Sequence, residues 1–337
     1  MKILIIRNDK LGDFILSIPV FAILKKNIPN IEVHALVPTY TEAIAKSCES
    51  IDKIVIDPGK DSGLPENIKL LKAIKKQNYD AVITLFTTSR IGFITKLAGI
   101  PYRLAPATKI AQFFYNHKLV QRRSRSLKPE YIYNLDLAND FLKHQGINNI
   151  QQADSPYLSY PKDDVILLRQ KLIQHFKIPE KHKLIFLHAG SGGSANNLSP
   201  QQFATLAENL TSDSGHTIVI TAGPGELATA TIVAKQLTNT PHIIFESKKG
   251  LVDFSKHIQF ADVFIAGSTG PLHIAGALDT PTAGFYTHRR SATSLRWQTL
   301  NSPENILAFS PPAEAAQEDM SAVDLNIAAK EISEKFL

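Results

Sequence analysis

The chain reads as an α/β protein built from two Rossmann-like domains in tandem, each a parallel sheet covered by helices, with a ligand cleft between them. Three observations predict this. Apolar runs of strand length alternate with segments of helical period along nearly the whole chain, which is the pattern of parallel crossover units. The alternation pauses at the polar, proline-bearing stretch 151–163 (QQADSPYLSYPKD) and restarts at KLIFL, 183–187. At 337 residues the chain is also long enough for two domains of ordinary size.

In the first half, KILII (2–6) is a buried strand, and Phe14 to Lys25 carries apolar residues at helical spacing. IEVHALV (31–37) and IDKIVI (51–56) are the next strands, with a short helix over Thr41 to Ser47 between them. After the turn-rich DPGKDSGLP come an amphipathic helix from Glu66 to Gln77, the strand DAVITLF (80–86) and a helix near Arg90 to Leu97. Pro101 to Leu104 is a short fifth strand, followed by a basic loop and a helix from about Glu130 to Lys143.

The second half opens with a helix over Asp164 to Phe176 and then KLIFL. Helices near Gln201 to Leu210, Gly225 to Leu237 and Val252 to Phe260 alternate with the strands HTIVIT (216–221) and HIIF (242–245). The stretch Ala261 to Leu278, ADVFIAGSTGPLHIAGAL, is a strand, a Gly-Ser-Thr-Gly turn and a helix beginning at Pro271. Proline suits the first helical turn, Ser268 and Thr269 are capping residue types, and Gly267 and Gly270 permit close approach of a ligand. A helix N-terminus beyond a strand's carboxyl end suits an anion, and His273 sits in its first turn. PTAGFY (281–286) follows as a strand, and Ser321 to Leu337 closes the chain as a helix.

Three further turns carry polar groups where ligands bind such sheets. RNDKLGDF places Gly12 and Asp13 between strand and helix, where a carboxylate caps the helix or faces the cleft. HAGSGGSANN (188–197) offers N–H and hydroxyl groups suited to phosphate oxygens, yet lacks the Gly-Lys-Ser/Thr ending of a phosphate-binding P-loop. In TAGPGE (221–226), Glu226 either accepts from ribose hydroxyls or favours a helix start through the helix dipole.

Composition narrows the classes. The chain is 44% hydrophobic and 20% charged, with a single cysteine, Cys48, so an intrachain disulfide is excluded and a cytoplasmic setting is comfortable. The apolar run Ile3 to Ile6 meets Arg7, Asp9 and Lys10 at once, which reads as a strand rather than a signal peptide. The eleven histidines are scattered, with neither HExxH nor cysteine pairs, so no metal is expected. Net charge is +6. Residues 103–128 hold Arg103, Lys109, His117, Lys118, Arg122, Arg123, Arg125 and Lys128 with no acid until Glu130, a stretch suited to an anionic partner. Nucleic acid is not expected, because no nucleic-acid module accompanies the charge.

Taken in order, R-x-x-x-x-G-D after the first strand, H-x-G-S-G-G, T-x-G-P-G-E and S-T-G-P-L-H-I-A before a P-x-x-x-x-Y strand resemble glycosyltransferase family 9, the lipopolysaccharide heptosyltransferases and their relatives. The likeness runs over nearly the whole chain. It implies a GT-B fold: an acceptor domain over 1–160, a nucleotide-sugar domain over 161–316 and a C-terminal helix, 317–337, crossing back to the first domain. It implies an inverting transfer, without metal or other cofactor, from ADP-heptose to Kdo-lipid A or its heptosylated form. The setting is the cytoplasmic face of the inner membrane, with the protein peripherally attached.

Asp13 falls on the family's general base. Donor-binding positions fall on Gly190, Ser191, Asn196, Glu226, Ser268, Thr269, Gly270 and His273, and Lys10, Gly12, Arg103, Arg122 and Arg123 are expected at the acceptor. Ser268 stands where many members carry Asp. Asn196 and Leu198 stand where the family's Lys-x-Trp-Pro segment has lysine and tryptophan, so Lys249, Arg289 or Arg290 is expected to compensate. Two alternatives keep the fold: a different nucleotide sugar with another glycan acceptor, and a non-catalytic nucleotide-sugar-binding protein.

Overall fold

A computed structural model describes residues 1–108, 110–191, 196–210 and 215–337. The chain divides into two compact units, Met1–Tyr157 and Leu158–Leu337. The division falls just ahead of the expected boundary at residue 160. Leu158 N–H already donates to Ala277 O (2.9 Å), and the Tyr160 hydroxyl meets that of Ser255 (2.5 Å), which commits this segment to the second unit.

The first unit runs β1 (Lys2–Ile6), α1 (Leu11–Ile15), α2 (Ile18–Asn27), β2 (Glu32–Pro38), α3 (Glu42–Lys46), β3 (Lys53–Asp57), α4 (Leu64–Lys75), β4 (Ala81–Thr84), α5 (Ser89–Leu97), β5 (Tyr102–Pro106), β6 (His117–Leu119) and α6 (Glu130–His144). All its strand pairs are parallel, in the order β3-β2-β1-β4-β5-β6. Ile3, Leu4, Ile5 and Ile6 are fully buried, as a central strand covered on both faces requires. Leu4, Ile6 and Val82 pack against Leu70, Ile74, Ile91 and Ile94 from α4 and α5. Strand order reverses between β1 and β4, so the carboxyl ends of these two strands frame the place where such a sheet binds ligands.

Two expectations are corrected here. The helix anticipated over Phe14 to Lys25 is two helices, broken at Leu16–Ser17. Ser17 donates its hydroxyl to Phe14 O (2.6 Å), and Pro19, lacking an N–H, opens the first turn of α2. The basic stretch is not one loop, since it contains part of β5 and the edge strand β6. The sequence HKL is too short and polar to announce that strand.

The second unit runs α7 (Lys162–Phe176), β7 (Lys183–His188), α8 (Pro200–Leu210), β8 (His216–Ala222), α9 (Leu227–Gln236), β9 (His242–Glu246), α10 (Leu251–Gln259), β10 (Val263–Gly267), α11 (Gly270–Ala277), β11 (Thr282–Phe285), β12 (Ile306–Phe309) and α12 (Leu325–Phe336). It repeats the topology of the first: strands are parallel in the order β12-β11-β10-β7-β8-β9, reversing between β7 and β10. The edge strand β12 was not foreseen, its four residues lying directly behind a Pro-Glu-Asn turn.

The closing helix, implied by the resemblance to cross back to the first domain, packs into its own unit. Ala328, Ala329 and Ile332 join Phe203, Leu206 and Ile185 in one core, and Lys183 Nζ donates to the backbone oxygens of Phe336 (3.1 Å) and Leu337 (2.7 Å).

Candidate active site

In the first unit the site grows from the end of β1. Register sets Ile6 beside Thr84 of β4, so the next residue, Arg7, leaves the sheet at its reversal point. Arg7 is buried, and its guanidinium is shared among four partners. Nε donates to Asp9 (2.8 Å), Nη1 to Glu130 (3.0 Å) and Asn134 (3.2 Å), and Nη2 to Asp13. Burial opposes its charge, but Asp13, Asp9 and Glu130 outweigh burial and hold Arg7 as a firm cation.

Asp13 lies in the first turn of α1, whose N-cap residue Lys10 makes no side-chain cap. The capping role considered for Asp13 is therefore corrected, because its carboxylate turns instead to the buried guanidinium, which costs far more to leave unpaired than one helix end. The Asp13 carboxyl is raised to about 6: burial pushes it up most, Arg7 pulls it down, and the charges of Asp9 and Glu130 push it up. A carboxylate in that range is deprotonated near neutrality and still basic enough to take a proton.

The residues expected at the acceptor separate on inspection. Arg123 joins this centre, with Nη1 on Glu130 (2.5 Å) and Asn134 (3.3 Å), so Glu130 is bonded by both arginines. Lys10 and Arg122 are exposed, and Gly12 lies within α1. Arg103 is withdrawn: its guanidinium binds the carbonyls of Ile100 (2.6 Å) and Phe114 (2.9 Å), tying its own segment together. Lys109 lies outside the described residues.

In the second unit, register places His188 at the end of β7 beside Ala266 near the end of β10, again at the reversal point. Two glycines there leave room that a side chain would fill. A Cβ on Gly190 would stand 2.2 Å from Glu226 Oε1, and a Cβ on Gly267 would stand 2.3 Å from Asn197 Oδ1. Glu226 is the N-cap residue of α9, but its side chain reaches back to accept from Gly223 N–H (2.8 Å) and lies 3.5 Å from His188. Its carboxylate thus bridges the turns after β7 and β8.

Thr269 is the N-cap residue of α11, yet its side chain makes no capping bond. Its Oγ1, His273 Nδ1 and Asn197 Nδ2 are all buried without a hydrogen-bond partner among the described residues. Unsatisfied buried polar groups cost free energy, and three of them around one helix start with unpaired backbone N–H groups suit a polar anionic ligand. Burial drives the His273 imidazole down to about 4, so it is neutral near pH 7.

Asn196, expected at the donor, is exposed, and the buried amide belongs to its neighbour. Asn197 Oδ1 accepts from Leu198 N–H (2.9 Å), which holds the amide over Gly267, while Leu198 is buried in the core. No local pattern in ANNLSP distinguishes the two asparagines. Lys249 is exposed beyond β9, Arg289 pairs with Glu318 (3.2 Å), and Arg290 is exposed. Ser191 and Ser268 are half-buried on the turns following β7 and β10, and Gly270, also half-buried, opens α11. Gly192 and Gly193 of the H-x-G-S-G-G motif lie outside the described residues.

Each unit gathers polar groups at the reversal point of its own sheet, and comparison with known families shows what kind of protein carries them. The model of glycosyltransferase family 9 (heptosyltransferase) matches residues 67–320. The chain belongs to glycosyltransferase family 9. It is similar to a Haemophilus influenzae protein named "Putative glycosyltransferase", 42% identical over 98% of this chain and 96% of that one. It also resembles the lipopolysaccharide heptosyltransferase 1 of Campylobacter coli, 26% identical over 85% of this chain and 84% of that one. Among solved structures, the ADP-heptose lipopolysaccharide heptosyltransferase II of Escherichia coli superposes with a TM-score of 0.78 at 17% identity, covering 100% of this chain and 98% of that chain. Escherichia coli heptosyltransferase WaaC with ADP gives 0.72 at 20% identity, covering 99% and 100%. These likenesses establish the GT-B fold, and family 9 membership makes the chain a glycosyltransferase.

Proposed function

We propose that this family 9 enzyme transfers a heptose, with inversion, from ADP-heptose to the inner core of lipopolysaccharide, Kdo-lipid A or its heptosylated form. The reading places it at the cytoplasmic face of the inner membrane and needs no metal ion. The observation that carries it is the Asp13–Arg7–Glu130 centre at the sheet's reversal point.

A sugar hydroxyl is a weak nucleophile, and a carboxylate that removes its proton in the transition state accelerates attack on the anomeric carbon. Asp13 has the basicity, and Arg7 fixes its Oδ1, while Oδ2 has no hydrogen-bond partner among the described residues and can accept. Attack from the face opposite the departing nucleotide inverts the anomeric configuration. The leaving diphosphate gains negative charge, which preorganised donors stabilise without moving. In this chain those donors are the backbone N–H groups at the start of α11, Thr269 Oγ1 and the Asn197 amide. Neutral His273 supplies a hydrogen-bonding nitrogen to the same place, and Glu226 is the acceptor for a ribose hydroxyl. On this reading neutral groups do at the diphosphate what the family's lysine is expected to do.

Asparagine at 196 also favours a second reading, a different nucleotide sugar with another glycan acceptor. Calorimetric titration of ADP, UDP and GDP, with a chelator present, separates the two. The heptose reading requires ADP to bind best and the chelator to change nothing. Preference for UDP or GDP overturns it in favour of the second, and dependence on a divalent metal overturns the metal-free step.

A further inference from the structure

One face of the first unit is unlike the rest of the molecular surface. Among the described residues, the large apolar side chains at least 70% exposed are Leu64, Ile110, Phe113, Val120 and Leu127. Four of the five fall within eighteen residues of each other. Exposed apolar groups gathered in one place and rimmed by polar ones mark interaction sites.

The surrounding charge is of one sign. No acidic residue occurs between Asp80 and Glu130, while nine lysines and arginines do. Four of those cations are spent internally: Arg90 on Asp57, Arg103 on backbone carbonyls, Arg123 on Glu130 and Lys128 on Asp136. Lys96, Lys118, Arg122 and Arg125 are exposed and make no ion pair among the described residues.

The fold ties parts of this stretch together. The short 3₁₀ turn Ile110–Phe114 seats on α5, where the Phe114 ring fills the space over Gly92 (2.9 Å from where a Cβ would stand) and meets the Phe93 ring edge-on at 5.9 Å. Phe93 and Leu97, one helical turn apart and each about half exposed, extend the apolar surface, with Lys96 beside them. Ala107 N–H bonds Leu119 O (2.8 Å), tying the approach to the 3₁₀ turn to the residue before Val120.

The same face adjoins the Asp13 centre. Thr108 and Thr87 join hydroxyls at 3.0 Å, and the neighbouring Phe86 lies under the Arg7 guanidinium, 6.0 Å from it.

We infer that this face, with Ile110 and Phe113 as its apolar anchors and Lys96, Lys118, Arg122 and Arg125 as its rim, docks on an anionic lipid bilayer surface. Apolar side chains enter the boundary between headgroups and acyl chains while unpaired cations remain at the headgroups. A protein partner offers no reason for cations without a single acid across this span, whereas a uniformly anionic surface does. The inference rests on the reading of a lipid-linked acceptor only for its purpose: a face beside Asp13 that lies on the bilayer presents the base to a headgroup sugar.

The test is flotation of the full chain with vesicles of phosphatidylcholine alone and of phosphatidylcholine mixed with phosphatidylglycerol. Binding is expected only to the anionic vesicles and to weaken as salt rises. Lys118→Gln with Arg125→Gln should lower the partition about 30-fold, from roughly a fivefold contribution per cation. Ile110→Ser with Phe113→Ser should abolish it, leaving the circular dichroism spectrum and transfer to a de-acylated, water-soluble acceptor unchanged. Equal binding to neutral vesicles, or unaltered flotation of both double variants, overturns the inference. So does concentration-dependent self-association that the Ile110/Phe113 variant removes, since the occupant is then a second copy. Flotation requires neither donor nor turnover, so failure of the transfer reading and failure of this one are separately visible.

Discussion

Replacing Arg7 by methionine tests the construction of the site without knowledge of any substrate. The side chain is 3% exposed and binds three carboxylates and an amide oxygen. Methionine fills much of the volume and supplies none of the charge. Breaking a buried ion pair by removing one partner costs roughly 3–5 kcal/mol, because the remaining charge is left unpaired. Here the loss is moderated in two ways. Arg123 still bonds Glu130, and the Asp13 carboxyl, already at about 6, takes up a proton at modest cost. A loss of about 3 kcal/mol is expected, a large part of a typical stability of ~5–15 kcal/mol. Urea unfolding of wild type and variant, followed by circular dichroism, measures it.

A second readout is specific to the charge arrangement. Carbon-detected NMR should show the Asp13 titration midpoint rising above about 6 in the variant, because the charge of Arg7 is what pulls it down. Adding Glu130→Gln to Arg7→Met should recover part of the stability. A loss below about 1 kcal/mol with an unmoved Asp13 midpoint would refute the reasoning.

Two further outcomes concern the second unit. Gly267→Ala places a Cβ against the Asn197 amide, so nucleoside diphosphate affinity should fall about tenfold at a cost near 1 kcal/mol in stability; an unchanged Kd removes Asn197 from the site. The His273 imidazole is lowered from 6.5 to about 4, so the folded state binds fewer protons than the unfolded one between those values. Its contribution is present above pH 6.5 and is lost as pH falls towards 4, about 3 kcal/mol in all. A bound diphosphate should raise the imidazole again, so calorimetry near pH 5 in buffers of different ionisation enthalpy should detect proton uptake. No uptake means that His273 does not face the anion.

Much of this was legible in the sequence because it is local. Buried parallel strands announce themselves as apolar runs, and the turns after β1, β7 and β10 carry the Asp, Gly, Ser and Thr residues that such turns require. The edge strands β6 and β12 were not legible, since HKL and ILAF are short and only partly covered. Nor was the hub at Arg7. Its partners Glu130 and Asn134 lie 123 and 127 positions away, and no period or spacing encodes that encounter. The signal available was a lone arginine directly after four buried apolar residues, a position where burial demands a countercharge. Asn197 was hidden differently, because two adjacent asparagines in a polar loop are distinguished only by which one meets a glycine on another strand.

The central claim is that Asp13 takes the proton from the acceptor hydroxyl while the second unit holds the donor. Single-turnover transfer from ADP-heptose to Kdo-lipid A, followed by mass spectrometry for wild type and Asp13→Asn, tests it most directly when paired with donor titration of both. The account predicts a roughly 10²- to 10⁴-fold slower transfer with donor affinity unchanged. Transfer at the wild-type rate, or loss of donor binding in step with the rate, would contradict it.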